Sequence, residues 1–256
     1  MIQQLSQVAE VQNRIQNSNN AKQFNAALPV NIEVTEKTHS MRYMLKIGNT
    51  SLETKSLREL QIGAKYWAQM AKSSLGSILL SRLVPQPLLM AQFAKSSWRM
   101  SGEELESLLD PKGGNPWERF RSMLAERLGM SDSRADFLFL GNMLLSLQQR
   151  VLTIPLRHEN EKDSLLQMRG KKGEEGEDEL EFYSIFSNLG ALKGRLVALK
   201  GMQESNLYLS TLYQSTAELL KAELGELQGI AQAVISVDEN IAPLYEASSS
   251  LLNVRG

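Results

Sequence analysis

Apolar and polar positions alternate with a period of two over residues 29–84, and this alternation is typical of β-strands. Apolar side chains occupy every second position of residues 41–47, and the Gly48-Asn49 pair then turns the chain into the next strand. Further strands are predicted at residues 65–71 and 77–83. About five strands that are so short and so close together predict a small β-barrel of the OB type.

Residues 85–134 are predicted to form a helical connector. Pro85 and Pro87 end the β module, since a proline is well suited to the first turn of a helix. Residues 110–116 combine aspartate, glycine and proline and predict a loop. The helix predicted at residues 133–149 carries a stripe of phenylalanine and leucine side chains, which must pack against another layer.

The period of two returns in the last part of the chain. Strands are predicted at residues 151–156, 165–168, 180–186, 192–200 and 206–212. The charged run at residues 169–179 predicts a solvated hairpin tip between two of them. Ser215 and Glu218 predict a capping box that opens a helix with leucines on one face. Residues 231–237 are expected to return as a parallel strand through a right-handed crossover.

These elements predict an α+β protein with two domains, for which a chain of 256 residues is long enough. The expected segments are a Gln/Asn-rich tail at 1–28, the small barrel at 29–84, the helical connector at 85–134, an α/β sandwich domain at 135–240 and a C-terminal tail at 241–256. In the sandwich domain, a β-sheet is expected to be covered by a helix.

The amino-acid composition lacks the residues and motifs that most catalytic sites and cofactor sites require. The chain has no cysteine and only two histidines, His39 and His158, so disulfides, thiolate zinc sites and histidine-rich metal sites are not expected. It contains no P-loop, Rossmann glycine fingerprint or nucleophile elbow. The most apolar segment, residues 75–94, is interrupted by Arg82 and two prolines, so no membrane span is expected. We therefore expect a binding protein, without enzymatic activity, cofactor or metal.

Charge and aromatic content raise one alternative function. Residues 1–100 carry 12 basic against 5 acidic side chains, whereas residues 101–256 carry 16 against 24. Bases stack on exposed aromatic rings and phosphates pair with cations, so the basic barrel is a candidate for binding single-stranded nucleic acid. The candidate residues are Tyr43, Tyr66, Trp67, Arg42 and Lys46. Tyr66 and Trp67 are consecutive and point to opposite faces of a strand, so at least one of the two rings is expected in the core.

The pattern near the end of the chain resembles a known family. Residues 180–199 comprise a strand, a Leu189-Gly190 turn and a second strand, residues 206–210 give a third strand, and residues 215–227 give a helix with spaced leucines. This order resembles the C-terminal domain of flagellar hook-length control proteins, and the resemblance extends over residues 135–240. The predicted barrel is similar to the β module that precedes this domain in some members.

The resemblance implies a non-enzymatic flagellar assembly protein that binds the export-gate switch protein of the flagellar type III system and switches the substrate specificity of the gate. Hook or hook-cap proteins are implied as further partners, and the implied location is the cytoplasm, with export through the flagellar apparatus itself. Partner contacts are then expected on the C-terminal sheet, and packing in the core is the alternative role of the same side chains. The candidate residues are Leu189, Gly190, Val197, Leu199, Leu207 and Leu209.

One feature departs from the family pattern. Family members usually carry a long N-terminal stretch of low complexity that gauges hook length, whereas residues 1–28 would span only about 100 Å when fully extended. We therefore expect a divergent member without this ruler. It would be a paralogue that only switches the gate, a member that acts with a separate ruler, or an unrelated protein of the same fold.

Overall fold

The computed structural model describes residues 28–72, 78–110, 112, 114–157, 163–173, 177–198 and 204–247. In this part of the chain, two β-sheets and five α-helices form a mixed α/β protein, in agreement with the predicted class. The predicted Gln/Asn-rich tail lies outside the described residues, except for Leu28. His158 and Leu199 also lie outside them.

The first sheet has five antiparallel strands in the order β3-β2-β1-β4-β5. The strands are β1 Val30–His39, β2 Arg42–Ile47, β3 Thr50–Lys55, β4 Lys65–Lys72 and β5 Ile78–Pro85. Alternate side chains, among them Ile32, Val34 and Leu45, fill a local core, as the period of two predicts. The predicted Gly48-Asn49 turn joins β2 to β3, and Gly48 adopts a φ of +56°, which favours glycine.

The sheet order differs from the predicted small barrel. No ladder joins β3 to β5 in the described residues, so the sheet is open there. Tyr66 packs in the sheet's own core, whereas Trp67, the next residue of β4, packs in a core shared with the helices. A second layer therefore covers the other face of the sheet, and burial does not require the sheet to close on itself.

Four helices follow the first sheet. They are α1 Leu88–Lys95, α2 Gly102–Leu109, α3 Pro116–Gly129 and α4 Arg134–Gln148. Ser101 and Glu104 form a reciprocal capping box at the start of α2. Asn115 caps α3 at the end of the predicted loop, and Ser133 caps α4. Each of these three helices therefore begins where a side-chain oxygen satisfies a free backbone N–H.

Hydrogen bonds to the Asp136 carboxylate link the first turn of α4 to the segment that follows α1. Its carboxylate accepts hydrogen bonds from the hydroxyls of Ser96, Ser97 and Ser133 and from the backbone N–H of Ser97, at 2.6–3.1 Å. Burial works against ionisation of this group, but the hydrogen bonds outweigh it and lower the pKa of Asp136 to about 2. The carboxylate is therefore charged at neutral pH and holds the two segments together.

The second sheet has six strands in the order β11-β10-β9-β8-β7-β6. The strands are β6 Leu152–Arg157, β7 Asp163–Lys172, β8 Asp178–Phe186, β9 Gly190–Ala198, β10 Ser205–Thr211 and β11 Ile230–Val237. Neighbours are antiparallel except for β10 and β11, which are parallel. Helix α5, Gln214–Glu223, and a 3-10 turn, Leu224–Glu226, connect these two strands. The predicted helical crossover to a last parallel strand is therefore confirmed.

The charged run at residues 169–179 lies at the end of the β7–β8 hairpin, as predicted, but the two strands extend into it, because β7 continues to Lys172 and β8 begins at Asp178. Across the β7–β8 ladder, Arg169 lies 2.6 Å from Glu181. Lys171 lies 3.2 Å from Glu179, on the same face of the sheet. Paired opposite charges stabilise such a ladder, so a high charge density is compatible with strand structure here.

One core joins the helices, the second sheet and one side of the first sheet. Its large side chains include Trp67, Phe93, Phe120, Phe139 and Tyr183. The segment after β11 belongs to it as well. The side-chain amide of Gln167 donates to the carbonyl of Tyr245, and the Tyr245 hydroxyl donates to Asn142 at 2.8 Å. The predicted connector and the start of the predicted C-terminal tail thus share a core with the sheet.

The capping box predicted at Ser215 and Glu218 is wrong. Helix α5 begins at Gln214, its N-cap residue is Tyr213, and no side chain caps it. Tyr213 is fully buried, and its hydroxyl donates to the carbonyl oxygen of Arg82 at 3.0 Å. Packing of this ring fixes the start of the helix, so tertiary contacts override the local capping signal.

Candidate functional site

A groove runs over one face of the second sheet. The strand register aligns apolar positions across several strands, with Phe182 opposite Gly194 and Gly194 opposite Leu209. Two residues further along each strand, on the same face, Leu180, Leu196 and Leu207 form a similar row. The cavity above these rows measures about 310 Å³. We call it the apolar groove, and its sheet side consists mainly of Leu180, Phe182, Phe186, Leu196, Leu207 and Leu209.

Helix α5 and the following 3-10 turn form the other wall of the apolar groove. Leu220, Leu224 and Leu227 line it from this side, and all three are half-buried. The main contacts of α5 with the sheet are with β10 and β11. The helix therefore covers one part of the sheet face and leaves the apolar side chains of β7 and β8 at the open side of the groove.

Gly194 allows the Phe182 ring to approach the backbone of β9 closely at the floor of the groove. A Cβ atom at this position would lie 2.6 Å from the Phe182 ring and 2.6 Å from the carbonyl oxygen of Tyr208. Real Cβ atoms essentially never approach that closely. Glycine in a strand interior commonly marks such a close approach, so residue 194 helps to set the shape of the apolar groove.

Charge is distributed unequally between the two faces of the sheet. The paired residues Arg169, Lys171, Glu179, Glu181 and Arg195 lie on the face opposite the apolar groove. Burial alone would raise the pKa of Glu181, but hydrogen bonds from Lys171 and Arg169 lower it below its usual value. On the groove side, the charged residues of the lining are Glu223 and Glu226, which lie at its lip and are exposed.

The predicted partner-binding residues fall into four groups. Leu189, Leu207 and Leu209 line the apolar groove, although each is at least nine-tenths buried. Gly190 begins β9 with a φ of +80°, and a Cβ there would lie 3.1 Å from the Tyr213 ring, so it has a packing role. Val197 faces the opposite side of the sheet, next to Glu179 in the ladder. Leu199 lies outside the described residues.

The candidate nucleic-acid-binding rings are buried. Tyr43 is 0%, Tyr66 7% and Trp67 1% exposed. The two tyrosine hydroxyls accept hydrogen bonds from the backbone N–H groups of Leu60 and Gln61, which fixes both rings in the interior. Arg42 lies 3.5 Å from Glu53, and Lys46 is exposed. Because a base stacks only on an accessible ring, these aromatics offer no stacking surface, and the alternative function loses the feature on which it depended.

Comparisons with known proteins do not indicate a function for the chain. No family model, curated protein or solved structure matches the chain. In the part of the chain that the structure describes, no helix is both long and apolar enough to cross a membrane. Among the same residues, no three His, Asp or Glu side chains lie together in a way that could hold a metal ion. The apolar groove and the family resemblance of the sequence pattern are therefore the two features that bear on function.

Sequence reasoning missed several residues of this site. Phe182 and Phe186 on the floor, and Glu223 and Glu226 at the lip, were not among the candidates. One signal in the sequence could have indicated the floor. Gly194 interrupts a strand pattern, and such a glycine commonly marks a bulge or a close approach by another group.

Proposed function

We propose that this chain is a non-enzymatic flagellar assembly protein that binds the export-gate switch protein and changes the substrate class that the gate accepts. The apolar groove is the partner site. The family resemblance of residues 135–240 supports the identity of the partner, and the groove supports the mode of binding. In this proposal the protein works in the cytoplasm and is itself a substrate of the flagellar export apparatus.

The observation that carries this proposal is the accessible apolar surface of the groove. Leucine and phenylalanine side chains line it from both walls, and several of them are only half-buried. The larger contiguous apolar patches on a protein surface, especially those rimmed by polar residues, are often functional interaction sites. Each partner side chain that is fully buried there contributes about 1.5–3 kcal/mol.

Binding can switch the gate without any covalent step. If the gate protein has two conformations, a ligand that binds one of them more tightly shifts the equilibrium toward it. Moving such an equilibrium from about 1:99 to 99:1 requires a roughly 10⁴-fold difference in affinity, or about 5.5 kcal/mol. Two or three apolar anchors that meet the groove in only one conformation would supply this difference.

Substitution of Leu224 tests the proposal. Leu224→Glu places a carboxylate in the wall of the apolar groove, and we expect it to weaken binding of the cytoplasmic domain of the switch protein by at least about 30-fold, as for a hot-spot residue. Val234→Glu is the matched control, because Val234 is 43% exposed and faces the other side of the same sheet. The control should change affinity less than about twofold.

Calorimetric titration of the full chain with the switch domain measures both affinities, and a thermal melt of each variant verifies that it is folded. Equal affinities for the wild type and folded Leu224→Glu would show that the apolar groove is not the partner site. A wild-type chain that does not bind the switch domain would overturn the proposed function as a whole.

A further inference from the structure

We infer that the apolar groove selects an amphipathic helical segment whose apolar side chains are flanked by lysine or arginine. This inference rests on the proposed function, because it specifies the chemistry of the partner at the same site. Two independent features support it: the apolar walls, and two carboxylates at the lip that have no cation partner among the described residues.

Glu223 and Glu226 differ from the carboxylates on the strands of the second sheet. Neither side chain takes part in an ion pair or a hydrogen bond with the described residues. By contrast, Asp163 lies 2.6 Å from Arg99, and Glu181 lies 2.6 Å from Arg169. Within the described part of the chain, acidic groups elsewhere on the sheet are therefore paired, whereas the two at the groove are not.

The position of the two glutamates increases their effect. They lie at the C-terminal end of α5 and in the 3-10 turn that follows it, where the helix dipole contributes a partial negative charge. Carboxylates are unfavourable at this end of a helix, and cations are favourable there. The charged side chains of the groove lining are therefore both negative, and a basic partner would neutralise them.

The volume of the groove limits how many apolar side chains of the partner it can hold. At about 310 Å³, it lies at the lower limit of ligand cavities. It thus fits a few large apolar side chains presented by a helix at i, i+3 or i+4, and i+7 spacing. Basic side chains next to these anchors would then reach Glu223 and Glu226 at the lip.

The first experiment uses two synthetic helical peptides that do not depend on the identity of the natural partner. Both carry leucine at the same spaced positions, but one has lysine and the other has glutamate at the flanking positions. We expect the full chain to bind the lysine peptide at least about tenfold more tightly, since like charges at an interface are disfavoured. Equal binding of the two peptides, or binding of neither, would overturn the inference.

The second experiment removes the two charges from the protein. The double variant Glu223→Gln and Glu226→Gln should bind the lysine peptide about fivefold more weakly, because each rim charge contributes modestly. Raising the salt from about 50 to 300 mM should weaken wild-type binding and change the affinity of the double variant much less. Glu218→Gln is the matched control, since Glu218 is an exposed residue of α5 outside the groove lining.

The same variants separate this inference from the proposed function. If the switch domain binds the wild type and Leu224→Glu abolishes binding, the proposed function stands. If the double glutamine variant then retains full affinity and the full salt dependence, the charge requirement is wrong. If the lysine peptide binds selectively but the switch domain does not bind, the chemistry of the groove is correct and the proposed partner is wrong.

Discussion

Gly194→Ala perturbs the floor of the apolar groove by a single methyl group. The new Cβ would lie 2.6 Å from the Phe182 ring and 2.6 Å from the backbone oxygen of Tyr208. The ring can rotate away, but the carbonyl moves only if β10 shifts. Overpacking of this kind costs about 1–3 kcal/mol, and the backbone contact places this case in the upper half, at about 2–3 kcal/mol.

Gly170→Ala provides a matched control in the same sheet. A Cβ at Gly170 has no heavy atom within 4 Å, and residue 170 is an exposed position of β7. Alanine is favoured over glycine in a strand, so this variant should be stabilised by about 0.5–1 kcal/mol. Urea unfolding followed by far-UV circular dichroism measures the free energy of unfolding of both variants, and an unchanged m value makes the comparison valid.

A second substitution identifies the contact that is responsible. Phe182→Leu shortens the side chain, so it should relieve part of the strain in Gly194→Ala and give a coupling energy of about 1 kcal/mol in a double-mutant cycle. The contact with Tyr208 remains, so the rescue should be incomplete. Equal stability of Gly194→Ala and Gly170→Ala would refute the packing argument, and zero coupling would show that Phe182 does not limit the space.

Two further substitutions test other parts of the fold. Asp136→Ala should cost about 1–2 kcal/mol at neutral pH, because it removes the hydrogen bonds of the carboxylate to three serines. Since the folded-state pKa of Asp136 is lowered to about 2, its stabilisation is complete above about pH 4 and is lost as the pH falls toward 2. Urea unfolding of the wild type and of Asp136→Ala across this range should therefore show that the difference between their free energies of unfolding becomes smaller as the pH falls. Trp67→Ala should cost about 3–5 kcal/mol in a urea unfolding experiment, because the ring is fully buried in the core shared by the first sheet and the helices. A loss below about 1 kcal/mol would show that the first sheet is not stabilised by that core.

The strands and the crossover were predictable because alternation and spacing are local properties. The turn at Gly48-Asn49 and the parallel return of residues 231–237 both follow from short stretches of sequence. Layer packing is not local. Alternation placed Tyr66 and Trp67 on opposite faces of β4, but it could not show that both faces are covered by other elements. The burial of both rings, and with it the loss of the stacking surface, required the tertiary structure.

The apolar groove was less predictable than the sheet. Its existence depends on how much of the sheet α5 covers, and no local pattern contains that information. Of the six partner-binding candidates that the resemblance implies, Leu189, Leu207 and Leu209 line the groove. The error at Ser215 has the same origin, since a buried Tyr213 fixes where α5 begins and a capping signal alone cannot reveal that.

The two walls of the apolar groove come from separate parts of the architecture. The floor is held by backbone ladders among several strands, whereas the opposite wall is a crossover of fewer than twenty residues between β10 and β11. Changes on the exposed surface of this connection leave the ladders intact. During evolution or in protein design, substitutions in the short crossover between β10 and β11 can therefore give such a chain a new binding preference while the sheet stays unchanged.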